Sequence, residues 1–371
     1  MHSSMVILML IPFFFFCFLL VVQSSFHDVS FQDEFPLWVE GRERTLLIKN
    51  VHRANVVVAP DGSGNFVKVM DAVLAAPNFS KDRFVIHIKR GIYKENVIID
   101  EKKNNLMMIG DGTDATIISG NLSSRHNNLT TFETATFGVD GMAFVARDIT
   151  FQNTAGPING QAVALRSSSE KSIFYRCKII GYQDSLCAHS NLQFYRNCII
   201  SGTVDFIFGY AAAVFQNCQI IVKKGLPGQY NTISAQGGEY GPNKPFGFVF
   251  QFCKIYADSD LLPISKSIKT YLGRPWGAHS KTIFMQSYIS DMLSPIGWSE
   301  WIGHPEYSDT LYYAEYQNYG PGAMLQYRVK WKGYHILKYS KEAINFTVAR
   351  LISGNTWIPS TNVPFTPGLG K

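Results

Sequence analysis

A short phrase, in which an aromatic residue is followed by cysteine and isoleucine, recurs through the middle of the chain. Its cysteines, Cys177, Cys198, Cys218 and Cys253, are separated by 21, 20 and 35 residues. Periods of this length indicate a solenoid, in which each repeat forms one coil and the stacked coils bury a shared core. The copies of the phrase span residues 174–179, 194–200, 215–220 and 250–255, and residues 151–153 are a shorter variant.

The rest of the chain is also strand-like. Short apolar runs broken by Gly, Asn and Asp begin near Ala54, and no ten-residue helical pattern interrupts the repeats. We therefore expect an all-β fold, a parallel β-helix with short capping helices. Helical spacing over 66–76 and a second segment over 341–352 are the candidates for those helices, and residues 222–247 are expected to form a loop beside the active face.

The first 52 residues differ from the main domain, which we place at 53–371. Residues 5–22 are apolar and precede Ser24 and Ser25, so residues 1–25 are predicted to be a secretory signal peptide. A retained signal-anchor is the alternative, because the run is nearly long enough to span a bilayer and lacks a positive leader. Residues 26–52 are predicted to be a short pro-segment or linker, with an ordered N-terminal strap as the alternative.

The chain is predicted to be secreted, and other features bear on that prediction. Four Asn-X-Ser/Thr sites would be glycosylated outside the cell: Asn78, Asn121, Asn128 and Asn345. Stacked coils about 4.8 Å apart would bring neighbouring cysteines within disulfide range, and Cys198–Cys218 is the preferred pair. Cys177–Cys198 is a competing pair, and a ladder of reduced, buried cysteines is the alternative to both.

The formal net charge is +6, which fits a polyanionic partner but equally fits a solvated basic surface. No Lys/Arg-rich block of the kind that binds nucleic acid is present, so we expect no nucleic-acid partner. The cysteine and histidine spacing predicts no metal site.

Three polar residues, Gln161, Gln183 and Asp205, follow one another at steps of 22, and Asp184 adjoins the second. On adjacent coils these groups would converge on one patch. Two neighbouring carboxyl groups cannot both ionise cheaply, so one becomes an acid and the other a base or nucleophile. The two amides can donate to an oxyanion. Stacked polar ladders that only stabilise turns are the structural alternative.

A cation is needed to keep one carboxylate charged, and Arg274 in the segment Leu272-Gly-Arg-Pro-Trp276 is the candidate. Trp276 offers a flat apolar face for a sugar ring. A surface ion pair and a core cap are the alternatives for these two residues. Carboxylates, amides, Arg and aromatics without a Ser–His pair or metal indicate acyl transfer or glycoside chemistry on a carbohydrate.

Five segments in this order resemble plant pectin methylesterases: Gly91-Ile-Tyr-Lys-Glu95, Gln161-Ala-Val-Ala-Leu165, Gly181-Tyr-Gln-Asp-Ser-Leu186, Asp205-Phe-Ile-Phe-Gly209 and Leu272-Gly-Arg-Pro-Trp276. The resemblance runs from about Ala54 to Gly370. It implies a right-handed parallel β-helix that hydrolyses methyl esters of homogalacturonan to pectate and methanol in the cell wall, without metal or organic cofactor. We expect a monomer, with a proteinaceous pectinesterase inhibitor as a further partner.

The resemblance also implies residue roles. Asp205 is the nucleophile, Asp184 the general acid and then base, Gln183 and Gln161 the oxyanion donors, and Arg274 the partner that keeps Asp205 ionised. It assigns the disulfide to Cys198 and Cys218. It places further residues with Gln161 and Arg274 in the sugar-binding groove: Thr131, Phe132, Phe208, Trp276 and Trp301.

Two positions depart from the family pattern. Cys187 stands where the family usually has a Tyr that contacts the sugar, and Tyr210 replaces a usual Asn. Loss of one aromatic contact of about 1 kcal/mol predicts weaker substrate binding in an active enzyme. The alternatives are another β-helix pectin hydrolase or lyase, for which we find neither a paired Asp-Asp motif nor an acidic calcium cluster, and an inactive pectin-binding wall protein.

Overall fold

The computed structural model describes residues 54–238 and 244–370. These residues form 26 strands in three parallel sheets, and successive strands pass from one sheet to the next. This arrangement is the parallel β-helix that the repeat predicts. The predicted signal peptide, the pro-segment and the domain boundary at residue 53 lie outside the described residues. No helix within the two described ranges is long and apolar enough to cross a membrane.

The largest sheet has 11 strands, which are numbered along the chain and follow one another in this spatial order. They are β1 (Val56–Val58), β2 (Phe84–Ile88), β5 (Leu106–Gly110), β8 (Val145–Arg147), β11 (Ser172–Tyr175), β14 (Leu192–Arg196), β17 (Ala212–Gln216), β20 (Gly247–Gln251), β23 (Lys281–Met285), β25 (Tyr312–Tyr316) and β26 (Tyr334–Ile336).

The second sheet has eight strands. They are β3 (Gly91–Lys94), β6 (Thr116–Gly120), β9 (Thr150–Asn153), β12 (Lys178–Ile180), β15 (Ile199–Gly202), β18 (Gln219–Val222), β21 (Lys254–Ala257) and β24 (Tyr288–Ile289). The third sheet has seven strands and carries the polar residues discussed below. They are β4 (Val97–Ile99), β7 (Phe137–Val139), β10 (Leu165–Ser167), β13 (Leu186–Ala188), β16 (Ile207–Gly209), β19 (Asn231–Gln236) and β22 (Thr270–Gly273).

The repeated phrase builds the core through a stack of aromatic rings. Parallel register aligns Phe174, Tyr195, Phe215, Phe250 and Phe284 on five neighbouring strands, and all five are buried. Successive ring centroids lie 5.0, 4.6, 4.7 and 4.3 Å apart with nearly parallel planes. The coils therefore stack ring on ring, which explains why the phrase recurs.

A single residue turns each coil from the first sheet into the second. Arg176, Asn197, Asn217 and Phe252 occupy this corner and have φ between 50° and 57°. The left-handed region is costly for most residues and least so for Asn, which holds the corner in two coils. The next residue in each coil is the phrase's cysteine, so the corner fixes where the thiol enters the core.

The Cys198–Cys218 disulfide is not confirmed by the structure, and neither is the Cys177–Cys198 pair. These residues, together with Cys187 and Cys253, are free and buried. The thiols of Cys198, Cys218 and Cys253 lie 3.2, 3.5 and 3.3 Å from backbone carbonyl oxygens of the preceding coil. Each thiol thus has an acceptor without forming a bridge, and the arrangement is the reduced ladder that was the alternative from the sequence.

The predicted N-terminal helix is present as α1 (Val69–Ala75), and its buried face, which includes Val69 and Val73, joins the core. Glu95, the last residue of the first family-like segment, accepts backbone N–H bonds from Val69 and Met70 at 2.9 and 3.0 Å. A carboxylate on the first N–H groups stabilises a helix N-terminus. Glu95 therefore ties the N-terminus of helix α1 to the β-helix.

The other helices are short. They are α2 (Ser124–Asn127), α3 (Tyr307–Thr310), α4 (Ser340–Ala343) and α5 (Val348–Leu351), with 3-10 turns at Thr131–Thr134, Pro157–Asn159, Leu262–Ile264, Pro321–Ala323, Ile344–Phe346, Gly354–Thr356 and Pro359–Thr361. The continuous helix expected over 341–352 is wrong. The chain is extended at Thr347, with ψ of 163°, and this residue divides the segment.

The expectation that residues 222–247 form only a loop is also wrong. The strand β19 lies inside this stretch and pairs with β16 and β22. The extra residues of this long coil fall on either side of β19. Consequently the coil keeps its regular third strand, and that strand contributes to the site.

Candidate active site

Asp205 lies in the turn before β16, with φ of 48° and 6% of its surface exposed. Its backbone N–H donates to the Thr232 hydroxyl at 2.8 Å, and that hydroxyl donates to Asp205 Oδ1 at 2.6 Å. Thr232 is buried on the neighbouring strand β19. One hydroxyl therefore fixes both the backbone and the side chain of Asp205.

Arg274 follows β22 and forms an ion pair with Asp205. Its Nε lies 2.9 Å from Oδ1 and 3.1 Å from Oδ2, and its Nη2 also donates to Oδ2. The remaining nitrogen, Nη1, donates to the Tyr230 hydroxyl at 3.0 Å. The guanidinium lies 4.5 Å from the Trp301 ring centroid, within cation–π range. Burial lowers the pKa of Arg274, but the hydrogen bonds and charge of Asp205 outweigh that effect and raise it.

Asp184 occupies the turn before β13, has φ of 63° and is 8% exposed. Burial raises the pKa of its carboxyl well above the usual range, the negative charge of Asp205 raises it further, and Arg274 partly opposes both. Because Arg274 is bonded to Asp205 and not to Asp184, the two carboxyl groups have unlike environments. The raised pKa favours the protonated form of Asp184, whereas Asp205 is ion-paired with Arg274. The roles of acid and nucleophile stay a prediction.

The two glutamines flank these carboxyl groups on adjacent coils. Gln183 immediately precedes Asp184, and its carbonyl accepts the N–H of Ala162, which follows Gln161. Gln161 Oε1 accepts a hydrogen bond from the Ser124 hydroxyl at 2.7 Å. With its oxygen engaged, the amide of Gln161 presents its N–H₂ group as a donor. Both glutamines are half-buried.

A cluster of aromatic residues packs together, and its member Trp301 contacts the Arg274 guanidinium. Phe208, one residue beyond Ile207 on β16, lies edge-on to Trp276 at 5.9 Å. Phe208 forms an apolar floor with Cys187 and smaller residues, and Trp276 and Trp301 pack on this floor. Burial raises the pKa of the Cys187 thiol, so this cysteine is a small apolar filler and not a reactive thiolate.

Thr131 and Phe132 come from an earlier segment of the chain. Both lie in the 3-10 turn Thr131–Thr134, which a reciprocal Thr130–Glu133 cap closes. Phe132 is 44% exposed, its ring centroid lies 3.8 Å from the Arg166 guanidinium, and it contacts the His189 ring edge at 5.2 Å. Phe132 thus lies beside Arg166 and His189, whereas the Trp301 ring lies next to the Arg274 guanidinium.

Sequence reasoning missed three groups that hold the predicted site residues in place: Thr232, Tyr230 and Ser124. Thr232 and Tyr230 fall in the segment that the sequence predicts to be a loop. The regular order of strands could have identified them. Each coil contributes one strand to the third sheet, so a strand aligned with β16 is required between residues 222 and 247. Ser124 contacts Gln161 across 37 residues from a helical turn outside the repeat, and no signal in the sequence identifies it.

These features define a parallel β-helix protein whose candidate active site joins two aspartates, an arginine and aromatic residues. A profile of the pectinesterase family matches residues 55–355. The chain is 58% identical to a probable pectinesterase/pectinesterase inhibitor 32 of Arabidopsis thaliana over 91% of its length, and 58% identical to the pectinesterase/pectinesterase inhibitor PPE8B of Prunus persica over 91%. The chain therefore belongs to the pectinesterase family.

Solved structures agree with this assignment. The pectin methylesterase from carrot is 51% identical, with a TM-score of 0.83 over 85% of this chain and 98% of that one. The pectin methylesterase from Aspergillus niger is 26% identical, with a TM-score of 0.70 over 83% of this chain and 97% of that one. The chain spans 63% and 64% of the length of the two curated plant relatives.

Proposed function

We propose that the chain is a pectin methylesterase that hydrolyses the C6 methyl esters of homogalacturonan to pectate and methanol. The observation that carries the proposal is the pairing of an Asp205–Arg274 ion pair with a buried, proton-holding Asp184. Such a site offers a nucleophile and an acid side by side. Membership of the family and the likeness to the carrot pectin methylesterase support the choice of substrate.

In the first half of the reaction, Asp205 attacks the ester carbonyl carbon. The carbonyl oxygen becomes an oxyanion, which the amide N–H groups of Gln183 and Gln161 stabilise. The intermediate collapses when Asp184 gives its proton to the departing methoxy oxygen, so methanol leaves and the acyl group stays on Asp205.

In the second half, Asp184 is a carboxylate and takes a proton from a water molecule, whose oxygen attacks the same carbonyl carbon. The second oxyanion collapses and releases Asp205 as a carboxylate and the sugar as a free acid. Asp184 is again protonated, which restores the starting state. Arg274 and Thr232 hold the Asp205 carboxylate in one orientation throughout. Because the carboxylate does not rotate away, it stays aligned for attack on the ester carbonyl carbon.

The biological setting is part of the same proposal. The apolar run at residues 5–22 and the four Asn-X-Ser/Thr sites support a secreted glycoprotein acting on the cell wall, with residues 53–371 as its catalytic domain. All four acceptor asparagines are exposed in the structure. The relatives' names, which join pectinesterase and inhibitor, support a proteinaceous inhibitor as a partner. The enzyme itself is proposed to be a monomer.

The experiment that tests the proposal measures three products from highly methylated pectin incubated with the purified chain. Methanol with neither new reducing ends nor unsaturated sugars is expected. Reducing ends would indicate a glycoside hydrolase, and unsaturated ends a lyase. A folded chain that binds pectin without releasing methanol would favour the second candidate, a pectin-binding wall protein, for which the lost ring at Cys187 is the specific observation.

A further inference from the structure

A lysine that is not among the predicted site residues, Lys223, reaches the turn that carries Gln183 and Asp184. Lys223 follows β18, and its Nζ donates to the Gly181 carbonyl at 3.2 Å. The same Nζ lies 3.7 Å from the ring centroid of Tyr182, within cation–π range. Gly181 and Tyr182 immediately precede Gln183 and Asp184 in the chain. One ammonium group therefore contacts the two residues that lead into the proposed oxyanion donor and the proposed acid.

The contact spans two coils of the β-helix. Parallel register aligns Ile180 on β12 with Ile221 on β18, and β15 lies between these strands. Tyr182 lies two residues beyond Ile180, and Lys223 lies two residues beyond Ile221. The Lys223 backbone N–H donates to the Gly202 carbonyl of the middle coil at 2.8 Å, which fixes the point where the side chain begins. The side chain therefore crosses the middle coil to reach the turn.

Hydrogen bonds hold the rest of this turn as well. The Tyr182 carbonyl accepts the Ser185 hydroxyl at 3.1 Å and a backbone N–H of the adjacent coil at 3.0 Å. The Asp184 N–H donates to a carbonyl oxygen of that coil at 3.1 Å. The Gly181 carbonyl, at the start of the turn, accepts its hydrogen bond from the Lys223 ammonium. Lys223 therefore holds the start of the turn, whereas the other bonds hold its middle and its end.

The ammonium group of Lys223 is half-buried, and negative charges act on it from the next coil. Burial lowers the pKa of Lys223, and the carboxylates of Asp258 and Asp260 oppose this effect. A hydrogen bond from a charged donor is stronger than one between neutral groups. The Lys223 contact is therefore a firm attachment for the turn.

We propose that Lys223 is a positioning residue for the esterase reaction, which holds the start of the turn so that Gln183 and Asp184 stay aligned with the ester. This inference rests on the proposed function and adds a residue that acts through the turn. A small displacement of an oxyanion donor or an acid lowers the rate of the chemical step. The aromatic residues predicted to bind the sugar lie on other segments, so we expect the loss in kcat and not in KM.

The kinetic test compares Lys223→Met, Lys223→Arg and, as a matched control, Lys103→Met. Lys103 is also buried, and its Nζ donates to the carbonyls of Leu74 and Ala76 at the end of α1, at 2.9 and 2.6 Å. For Lys223→Met we expect kcat on methylated pectin to fall about tenfold, with KM within about twofold. Lys223→Arg keeps a cation and a donor and should stay within about threefold of the parent.

Lys103→Met is expected to lower Tm by on the order of a few degrees and to keep the kcat of the parent. An unchanged kcat in Lys223→Met overturns the proposal. An equal fall of kcat in Lys103→Met also overturns it, because the effect would then be general destabilisation. If Lys223→Met fails to fold, Lys223→Gln, which removes the cation and shortens the side chain, is used with the same expected outcome.

A second measurement requires no turnover and separates this inference from the proposed function. Amide hydrogen exchange of residues 181–186 is measured in the parent, Lys223→Met and Lys103→Met. We expect exchange in this segment to be about five- to tenfold faster in Lys223→Met and unchanged in Lys103→Met. That result supports the hold of Lys223 on the turn even if the parent releases no methanol, which would overturn the proposed function instead. Equal exchange in the parent and Lys223→Met contradicts the inference.

Discussion

The hydroxyl of Thr232 bonds Asp205 twice, accepting its backbone N–H at 2.8 Å and donating to its carboxylate at 2.6 Å. The second bond orients Oδ1, which Arg274 also contacts, while the first fixes a backbone in the left-handed region. A residue in a sparsely populated conformation persists when its surroundings over-determine it. Thr232 on β19 supplies that constraint from the neighbouring coil.

Thr232→Val is expected to lower kcat by about ten- to a hundredfold, because a hydrogen bond to a charged group is lost and the Asp205 N–H is left unsatisfied. The change nearly preserves the volume of the side chain. Thr232→Ser keeps the hydroxyl and should stay within about threefold of the parent. Steady-state methanol release measures both, and equal activity of the Val and Ser variants would refute the role of Thr232.

Tyr230→Phe removes the hydroxyl that accepts a hydrogen bond from Arg274 Nη1. We expect kcat to fall about three- to tenfold, since Arg274 loses one of the contacts that aim it at Asp205. The ring contact with Tyr271 remains in this variant. Tyr256→Phe, which loses a hydroxyl contact with Gln219 on the eight-stranded sheet, is the control and should keep full activity. Similar losses in both variants would show that the effect is general destabilisation.

The raised pKa of Asp184 predicts how stability depends on pH. Its carboxyl binds a proton more tightly in the folded chain than in the unfolded chain. Between the ordinary aspartate pKa of about 3.8 and the raised value, the folded state holds more protons, so this group's contribution to stability falls as pH rises. Above the raised pKa the full cost of the buried charge is present.

Asp184→Asn removes this cost and is expected to raise Tm by on the order of a few degrees near neutral pH, while abolishing esterase activity. The difference in Tm from the parent should shrink as the pH approaches the ordinary aspartate range. Thermal unfolding at a series of pH values measures it. A constant difference across that series, or a less stable variant at neutral pH, would contradict the assigned protonation of Asp184.

Cys187→Tyr restores a ring beside the floor that Phe208 forms and is expected to lower KM about three- to tenfold. Steady-state kinetics on methylated pectin measure the change in KM. No change in KM for Cys187→Tyr would remove the explanation of weakened binding.

The coiled fold could be predicted because every coil of the middle of the chain uses the same core residues, and these recur visibly in the sequence. Each of the four full copies of the phrase contains a ring of the core stack, one corner residue and a cysteine, so the period of the coil appears directly in the sequence. The first aromatic residue of each copy did not by itself predict which ring joins the core stack. In the copy at 194–200 it is Tyr195 and not Phe194 that joins the stack, because the ring lies three residues before the cysteine.

The charged residues of the site could be predicted from the sequence. The uncharged residues that hold them in place could not. Asp184, Asp205 and Arg274 were identified by charge, spacing and resemblance, and the structure brings them together. Thr232 and Tyr230 were missed because the long insertions in residues 222–247 made this stretch resemble a loop, so that strand β19 was not predicted. The state of the cysteines depends on thiol-to-carbonyl contacts across coils, which spacing does not reveal.

The most direct test of the account is methanol release from highly methylated pectin by the parent chain, Asp205→Asn and Asp82→Asn. Asp82 is an exposed aspartate before β2, so its variant controls for the loss of one carboxylate elsewhere. We expect release by the parent and by Asp82→Asn, and a loss of at least about a thousandfold in Asp205→Asn. Comparable release by folded Asp205→Asn would contradict the assignment of Asp205 as the nucleophile.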